Sequence, residues 1–247
     1  MIRIEKTEVQ GWEAAVRGMR NPLNSWDMSD SYFTHIEDSE TMETAKFEFF
    51  AGENDLDLMT RLRNAGTDHR KFMRMLTVYV DLTAPLYWWK EFDTYKVGTV
   101  ANSCSTMHKI HAKEFTLDDF SCEHLMILGK TAKFEDLPIY ADEYWDALLI
   151  LQMVIKSLNH YRKKFLETKD KKYWWQMIQL LPTSYNQKRT VMMNYEVLAN
   201  IYKSRKNHKL DEWHTFCDWI ETLPYSALIT GKVDEDGSST EKHHQGC

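Results

Sequence analysis

The segment whose side chains are best suited to ligand binding or catalysis follows a cluster of aromatic side chains at 87–92. Small hydroxyl, amide and thiol side chains then make up most of the run from Thr99 to Ser105. Such groups fill a core poorly, but they suit a loop whose hydroxyl and backbone N–H groups approach a polar ligand. Gly98 allows a close backbone approach at the start of this run. On composition alone, a plain Ser/Thr turn without a ligand is an equal alternative.

A second group of polar residues lies about 90 positions further along the chain. Asn194 and Asn200 fall in a predicted helix at 190–204, six positions apart and therefore on different faces, and Arg205 follows that helix directly. Taken singly, each has an ordinary alternative role as a surface side chain. His69, upstream, has an equally ordinary alternative as a cap of the helix before it.

Alternating and helical patterns predict the elements that would position these residues. Leu76 to Leu82 alternates as a half-buried strand, and Pro85 suits the first turn of the following helix. Residues 24–40 are polar and are predicted to be irregular. Further elements are expected as a strand at 2–9 and helices at 11–20, 56–66, 141–168, 173–181 and 210–223.

The composition favours one mixed domain. With 247 residues, 43% of them hydrophobic, the chain is long enough for a sizeable core. No linker or repeat divides it, so we expect a single α/β (α+β) domain over residues 1–231 and a disordered tail at 232–247, where the sequence becomes polar.

Charge and residue counts exclude several classes of protein. The net charge of −6 argues against a nucleic-acid surface, which requires a basic face. No apolar run approaches the roughly 20 residues of a membrane span, and the first residues lack a signal-peptide core, so a cytoplasmic protein is expected. The four cysteines show no zinc or disulfide spacing, so no metal site is predicted.

Two separated blocks resemble the signature of the flavin-dependent thymidylate synthases, the ThyX family. The family pattern is Arg-His-Arg, two residues, Ser, one residue, Asn, two residues, Ser. Here Thr94-Tyr95-Lys96 is followed by Thr99, Asn102 and Ser105, and the spacing fits if one extra residue is allowed near 100–101.

The second block matches without a gap. Leu181-Pro182 is followed by Asn194, Asn200 and Arg205 at the spacing that the family shows after its own Leu-Pro. Two blocks in the same order, at a similar separation, are far more specific than either block alone, and the resemblance covers about residues 61–205.

The resemblance implies a fold, a reaction and partners. The fold would be a ThyX-like single domain with a central antiparallel-type sheet and a large helical part, assembled as a homotetramer with active sites built between chains. The substrate would be dUMP, methylated with methylenetetrahydrofolate as the carbon donor. FAD would be the cofactor and NADPH its reductant, and no protein nucleophile is needed.

The resemblance also implies roles for individual residues. Arg205, which would reach the pyrimidine ring, and Ser105, near its reactive carbon, are the candidate catalytic residues. The residues expected around the nucleotide are Asn102, Ser103, Cys104, Ser105 and Arg205. Those expected around the flavin are His69, Lys96, Thr99, Asn194 and Asn200. Without the extra residue near 100–101, Cys104 takes the place of Ser105.

Several family arginines are missing. Thr94 and Tyr95 replace the first Arg and the His of the signature, and Glu196 replaces the arginine of the second block. Replacement cations could come from residues close in sequence to the two blocks, namely Arg70, Lys71, Arg74, Lys188 and Arg189. Two alternatives therefore stay open: a methylase of another pyrimidine nucleotide such as UMP, and a non-catalytic relative that binds nucleotide or flavin.

Overall fold

The computed structural model describes residues 2–36, 46–125 and 146–232. The expected tail lies outside the described residues from position 233 onward, and so do residues 141–145 of the expected long helix. The described residues belong to two compact units. The first comprises Met1–Glu5, Asp81–Thr94 and Ala101–Thr190, and the second comprises Lys6–Val80, Tyr95–Val100 and Val191–Cys247.

The structure confirms the expected mixture of helices and strands. The strands are β1 (Arg3–Gln10), β2 (Tyr32–Ile36), β3 (Lys46–Phe50), β4 (Thr77–Pro85), β5 (Val100–Ser103) and β6 (Asn186–Asn194). The helices are α1 (Trp12–Arg20), α2 (Glu53–Asn64), α3 (Leu86–Phe92), α4 (Ala147–Thr168), α5 (Lys171–Leu180), α6 (Tyr195–Arg205), α7 (Asp211–Glu221) and α8 (Ala227–Thr230). Four strands form a sheet in the order β1-β4-β6-β5, and β2 pairs with β3 as an antiparallel hairpin.

The first unit is built on aromatic packing and on a helical hairpin. Trp88, Trp89 and Phe92 of α3 are almost fully buried and pack against one another with ring centroids 5.0–5.3 Å apart. Helices α4 and α5 pack together, and each begins at an aspartate whose side chain accepts a hydrogen bond from a backbone N–H of its first turn. None of the helices in the described ranges is long and apolar enough to cross a membrane.

Helix α6 is the centre of the second unit. It buries residues around most of its circumference and packs against α7, α8 and the short 3-10 turn Arg70–Arg74. An aromatic cluster lies at its beginning, where Trp12 stacks on Phe49 and meets the edge of the Tyr195 ring. Because α6 is buried on several faces, its buried carboxylate, Glu196, needs a partner within the unit.

Three sequence expectations are wrong. The predicted helix at 190–204 is β6 up to Asn194 and α6 afterwards, and burial of alternate residues, with Val191 and Met193 inside, shows why strand is preferred there. The irregular region predicted at 24–40 contains β2. The predicted loop at 99–105 contains β5, whose four side chains are all exposed.

Candidate functional site

The segment 95–99 lies against helix α6 within the second unit. Gly98 has a φ of +76°, and a Cβ added there would lie only 2.9 Å from Nδ2 of Asn194 and 3.1 Å from Cγ2 of Val197. Any other residue would therefore adopt a strained backbone conformation here and would also displace the Asn194 side chain. The structure thus places Gly98, which precedes the predicted ligand-binding run, beside Asn194.

Asn194 is the N-cap of α6 and not a residue of its interior. Its Oδ1 accepts a hydrogen bond from the N–H of Val197 at 3.0 Å, which satisfies one of the donors that a helix start leaves unpaired. The Oγ1 of Thr99, the residue after Gly98, is buried and has no hydrogen-bond partner among the described residues. A buried hydroxyl without a partner is the kind of group that a ligand can satisfy.

The other end of α6 is tied to the same segment through Arg205. Its Nε donates to the hydroxyl oxygen of Tyr95 at 2.8 Å, and its guanidinium carbon lies 4.8 Å from the centroid of the Trp213 ring. The Tyr95 centroid is 5.6 Å away. Hydrogen bonding and cation–π contacts together fix the orientation of this guanidinium.

The sequence interpretation treated Tyr95 only as a departure from the family pattern and did not consider Trp213. The signal for Tyr95 was present, because it occupies a position of the signature. The sequence contained no signal for Trp213, because its contact with Arg205 depends on how α7 packs against α6.

The other expected flavin residues of the second unit are at its surface. Lys96, His69 and Asn200 are all exposed, and His69 begins the 3-10 turn without capping it through its side chain. Of the expected flavin residues, Asn194 lies beside Gly98, the residue that precedes Thr99.

Glu196, which stands where the family has an arginine, forms a largely buried ion pair with Arg70. Their Nε and Oε2 atoms are 2.8 Å apart, and Nη2 of Arg70 donates to Oε1 at 3.0 Å. The Glu196 side chain is 8% exposed and that of Arg70 is 19% exposed. Arg70 therefore compensates a buried carboxylate, whereas Lys71 and Arg74 of the same turn are exposed.

The expected nucleotide residues lie in the first unit, except Arg205. Asn102 and Ser103 are exposed on β5, which corrects the expectation of a loop at these two positions. The backbone N–H of Cys104 donates to the carbonyl of Lys188, while its side chain is exposed. The Oγ of Ser105 accepts from the N–H of His108 at 2.9 Å, so it closes a turn. These four consecutive residues present their side chains to solvent.

The two basic residues on β6 are also paired. Lys188 lies 3.0 Å from Asp81, and this hydrogen bond raises the pKa of its ammonium group above the ordinary value. Arg189 bonds to Asp93 at 2.7 Å and stacks on Trp89, with 4.1 Å between the guanidinium carbon and the ring centroid. Both cations therefore already have a carboxylate partner.

Across the described ranges, no cluster of three or more His, Cys, Asp or Glu side chains is arranged to hold a metal ion. The polar groups that could meet a ligand are hydroxyls, amides and cations, which are suited to an organic ligand with hydrogen-bonding atoms.

The cap assignment gives a direct test of Asn194. We expect Asn194→Ala to lower the free energy of unfolding by about 1 kcal/mol, because α6 loses its N-cap. Asn200→Ala is the matched control on an exposed position of the same helix, where alanine is neutral or slightly stabilising. Urea unfolding measures both, and equal effects of the two substitutions would contradict the cap.

Comparison with solved structures defines the fold. No protein-family model matches this sequence, and no curated protein is significantly similar to it in sequence. The chain nevertheless has the fold of the flavin-dependent thymidylate synthases, which confirms the fold that the resemblance implied.

Two proteins with this fold illustrate the likeness. ThyX from Helicobacter pylori, solved with FAD and dUMP, superposes with a TM-score of 0.61 at 14% identity over 94% of this chain and 98% of its own. The UMP/dUMP methylase PolB from Streptomyces cacaoi, solved with 5-Br UMP, superposes with a TM-score of 0.56 at 12% identity, over 93% of this chain and 90% of its own. The PolB complex with 5-Br dUMP superposes with a TM-score of 0.58 at 12% identity, over 94% of each chain.

Proposed function

We propose that this chain is a divergent ThyX-like enzyme, a flavin-dependent methylase of a pyrimidine nucleotide. One observation carries the proposal: the fold matches over nearly the whole chain, and within it the segment 95–99 packs on α6 at Asn194 and Arg205. The sequence resemblance was drawn from those same two blocks. A chance likeness of short motifs gives no reason for such packing.

We infer that the specific reaction is methylation of dUMP to dTMP, with methylenetetrahydrofolate as carbon donor and FAD reduced by NADPH. UMP is the alternative substrate. Its support is that PolB, which has the same fold, was solved with both 5-Br UMP and 5-Br dUMP. The same resemblance supports a homotetramer with shared active sites and a single ThyX-like domain over residues 1–231.

The residues present fit a flavin in part. The buried, unpartnered hydroxyl of Thr99 offers a hydrogen bond, and the exposed Lys96 offers a charge for a phosphate. The flavin, when bound, supplies the redox chemistry of methyl transfer. The residues proposed to hold it are His69, Lys96, Thr99, Asn194 and Asn200.

The residues proposed to contact the nucleotide are those that the resemblance implied, namely Asn102, Ser103, Cys104, Ser105 and Arg205. Asn102, Ser103 and Cys104 would surround it, Ser105 would lie near the reactive carbon, and Arg205 would contact the pyrimidine. Because Tyr95 and Trp213 fix the Arg205 guanidinium, its charge is already oriented when the base becomes more negative during the reaction.

The pairing of basic residues predicts weaker phosphate binding than in the family. Arg70, Lys188 and Arg189 already have carboxylate partners. A charge-assisted hydrogen bond contributes about 1.5–3 kcal/mol, so Lys96 carries much of the attraction for the flavin phosphates. We expect Lys96→Ala to weaken FAD binding about tenfold, while Lys90→Ala, an exposed lysine on α3, has no effect.

The deciding experiment combines the absorption spectrum of the purified protein with an assay of methylated product. The purified protein, with FAD added, is expected to show the blue absorption band of bound flavin and to release methylated product from dUMP or UMP assayed side by side. A protein that stays colourless at saturating FAD would contradict the proposal and favour the non-catalytic relative. A flavoprotein active on UMP alone would exclude the dUMP reaction.

A further inference from the structure

Trp89, Gln187 and Arg189 form a closed cluster in the first unit, beside the segment that carries most of the proposed nucleotide residues. Gln187, on β6, is 8% exposed. Its backbone carbonyl accepts from Nε1 of Trp89 at 2.9 Å, and its amide oxygen accepts from Nε of Arg189 at 3.0 Å. The Arg189 guanidinium closes the cluster, because its carbon lies 4.1 Å from the centroid of the Trp89 ring. Gln187 is therefore fixed through both its backbone and its side chain.

The neighbours of Gln187 determine which way its side-chain amide points. A guanidinium only donates hydrogen bonds, so the amide oxygen must face Arg189, which an ion pair of 2.7 Å with Asp93 keeps in place. The amide nitrogen then faces the carbonyl of Cys104, to which it donates at 2.8 Å. A reversed amide would place donor against donor at Arg189 and acceptor against acceptor at Cys104.

The peptide groups on both sides of Cys104 are held as a result. Its N–H donates to the carbonyl of Lys188 at 2.9 Å, and its carbonyl accepts from Gln187. The side chains of Asn102, Ser103 and Cys104 are exposed, so their directions depend on the backbone that carries them. A ligand that meets a segment held in this way does not have to order it on binding, and this preorganisation strengthens binding.

Packing alone gives no reason for an amide at position 187. The same face of β6 buries Val191 and Met193 further along the strand, so an apolar side chain suits this face. A buried amide is costly unless its oxygen and its nitrogen both find partners. Gln187 has both partners, and one of them is the backbone of the proposed nucleotide segment.

We propose that Gln187 is a positioning residue of the nucleotide site, which holds the backbone at Cys104 so that the side chains of 102–105 are ready to receive a pyrimidine nucleotide. The inference rests on the proposed function, from which it takes the nucleotide residues. It adds a residue to which the family resemblance assigns no role, and one that acts through Cys104 without touching the nucleotide.

Gln187→Glu tests the inference because it keeps the size of the side chain and the acceptor for Arg189 but removes the donor to Cys104. We expect the Cys104 N–H to exchange with deuterium about tenfold faster, since the Cys104 carbonyl loses its donor and faces a second acceptor. We also expect KM for the nucleotide to rise about tenfold, with kcat changed by less than about twofold, because substrate and transition state lose the same binding energy.

Hydrogen exchange by mass spectrometry on the full chain and steady-state kinetics of the FAD-loaded protein with dUMP and UMP measure these effects. Gln176→Glu is the matched control. It makes the same chemical change on α5, where the amide donates to the Lys172 carbonyl at 3.4 Å on an exposed surface, and it is expected to alter neither quantity.

Arg189→Lys is a second variant that decides the matter if Gln187→Glu does not fold. It keeps a cation for Asp93 but removes the Nε–H that orients the Gln187 amide, so both the exchange rate and KM are expected to rise about threefold.

Unchanged exchange at Cys104 in Gln187→Glu would overturn the inference, because the segment would then be held without this amide. Faster exchange with an unchanged KM would overturn it as well, since nucleotide binding would not depend on the position of the segment. A parent chain that methylates neither dUMP nor UMP would instead refute the proposed function, and the role of Gln187 at a nucleotide would fail with it. The exchange rates would still show whether the amide holds Cys104, so the two failures are distinguishable.

Discussion

Replacing Arg205 with alanine is expected to lower kcat for dUMP at least about 100-fold, the cost of removing one preorganised group that stabilises transition-state charge. The Arg205 guanidinium has its orientation fixed by Tyr95 and Trp213, so the substitution removes a charge that is already oriented. Steady-state kinetics of the flavin-loaded enzyme measure the effect. Urea unfolding checks that the fold is retained.

Two matched variants separate the charge of Arg205 from its surroundings. Lys203→Ala removes an exposed cation two positions earlier on α6 and is expected to leave kcat unchanged. Tyr95→Phe keeps the ring but removes the hydroxyl that orients Arg205, and about a tenfold loss of kcat is expected. An Arg205→Ala enzyme that keeps most of its activity would remove Arg205 from the proposed site.

Replacing Asp55 with asparagine is expected to lower the free energy of unfolding by about 3–5 kcal/mol, because it leaves the buried guanidinium of Arg20 without its counter-charge. Asp55 is fully buried, and its two oxygens accept from Arg20, Ser29, Ser31 and the N–H of Asp30. These bonds hold the chain after α1 against α2. Urea unfolding curves measure the difference.

Asp57→Asn is the control, two positions further along α2. Its carboxylate pairs with Arg61 on an exposed surface, where such a pair contributes about 0.3–0.5 kcal/mol. A loss at Asp55 no larger than the loss at Asp57 would show that the buried pair does not hold this part of the second unit together.

The same aspartate gives stability a pH dependence. Burial is the largest influence and raises the pKa of Asp55, but the hydrogen bonds from Ser31, Ser29 and Arg20 together outweigh it, so the pKa is lowered. The stabilisation is complete above the unfolded-state pKa of about 3.9 and is lost as pH falls through the lower folded-state value. Below about pH 4 the parent is therefore expected to lose stability more steeply than Asp55→Asn.

Local patterns were sufficient where the chain alternates or repeats clearly. The strand predicted at 76–82 is β4, the helix begun after Pro85 is α3, and α5 and α7 lie close to their predicted bounds. In each of these segments the spacing of apolar residues matches one period, and a proline, glycine or cap residue marks an end.

Patterns failed where pairing with another strand decides the structure. Val191 to Met193 is a short apolar run that fits either a helix or a strand, and its place beside β4 in the sheet makes it a strand. Strand β5 exposes all four side chains and therefore has no alternation to detect. In β2 and β3, the β-forming residues of 32–36 and the aromatic residues of 47–50 did carry a signal, which the polar surroundings obscured.

The candidate site could likewise be predicted from the sequence only in part. The family resemblance related Asn194 and Arg205 to the block that begins at Thr94, and in the structure Asn194 lies beside Gly98 and Arg205 bonds to Tyr95. Spacing could not show that Glu196 and Arg70 neutralise each other, because that pair joins positions 126 apart in sequence. Missing charges in a sequence motif therefore do not identify which remaining charges are free.

Cys104 is attached to β6 on both sides of its backbone. Its N–H donates to the Lys188 carbonyl, and its own carbonyl accepts from Nε2 of Gln187 at 2.8 Å. The Gln187 amide oxygen in turn accepts from Nε of Arg189. Insertion or deletion of a residue between β5 and Ser105 would break these bonds, whereas exchange of the exposed thiol would not. Homologues are therefore expected to vary in side-chain chemistry at this position but to conserve the length of the segment around it.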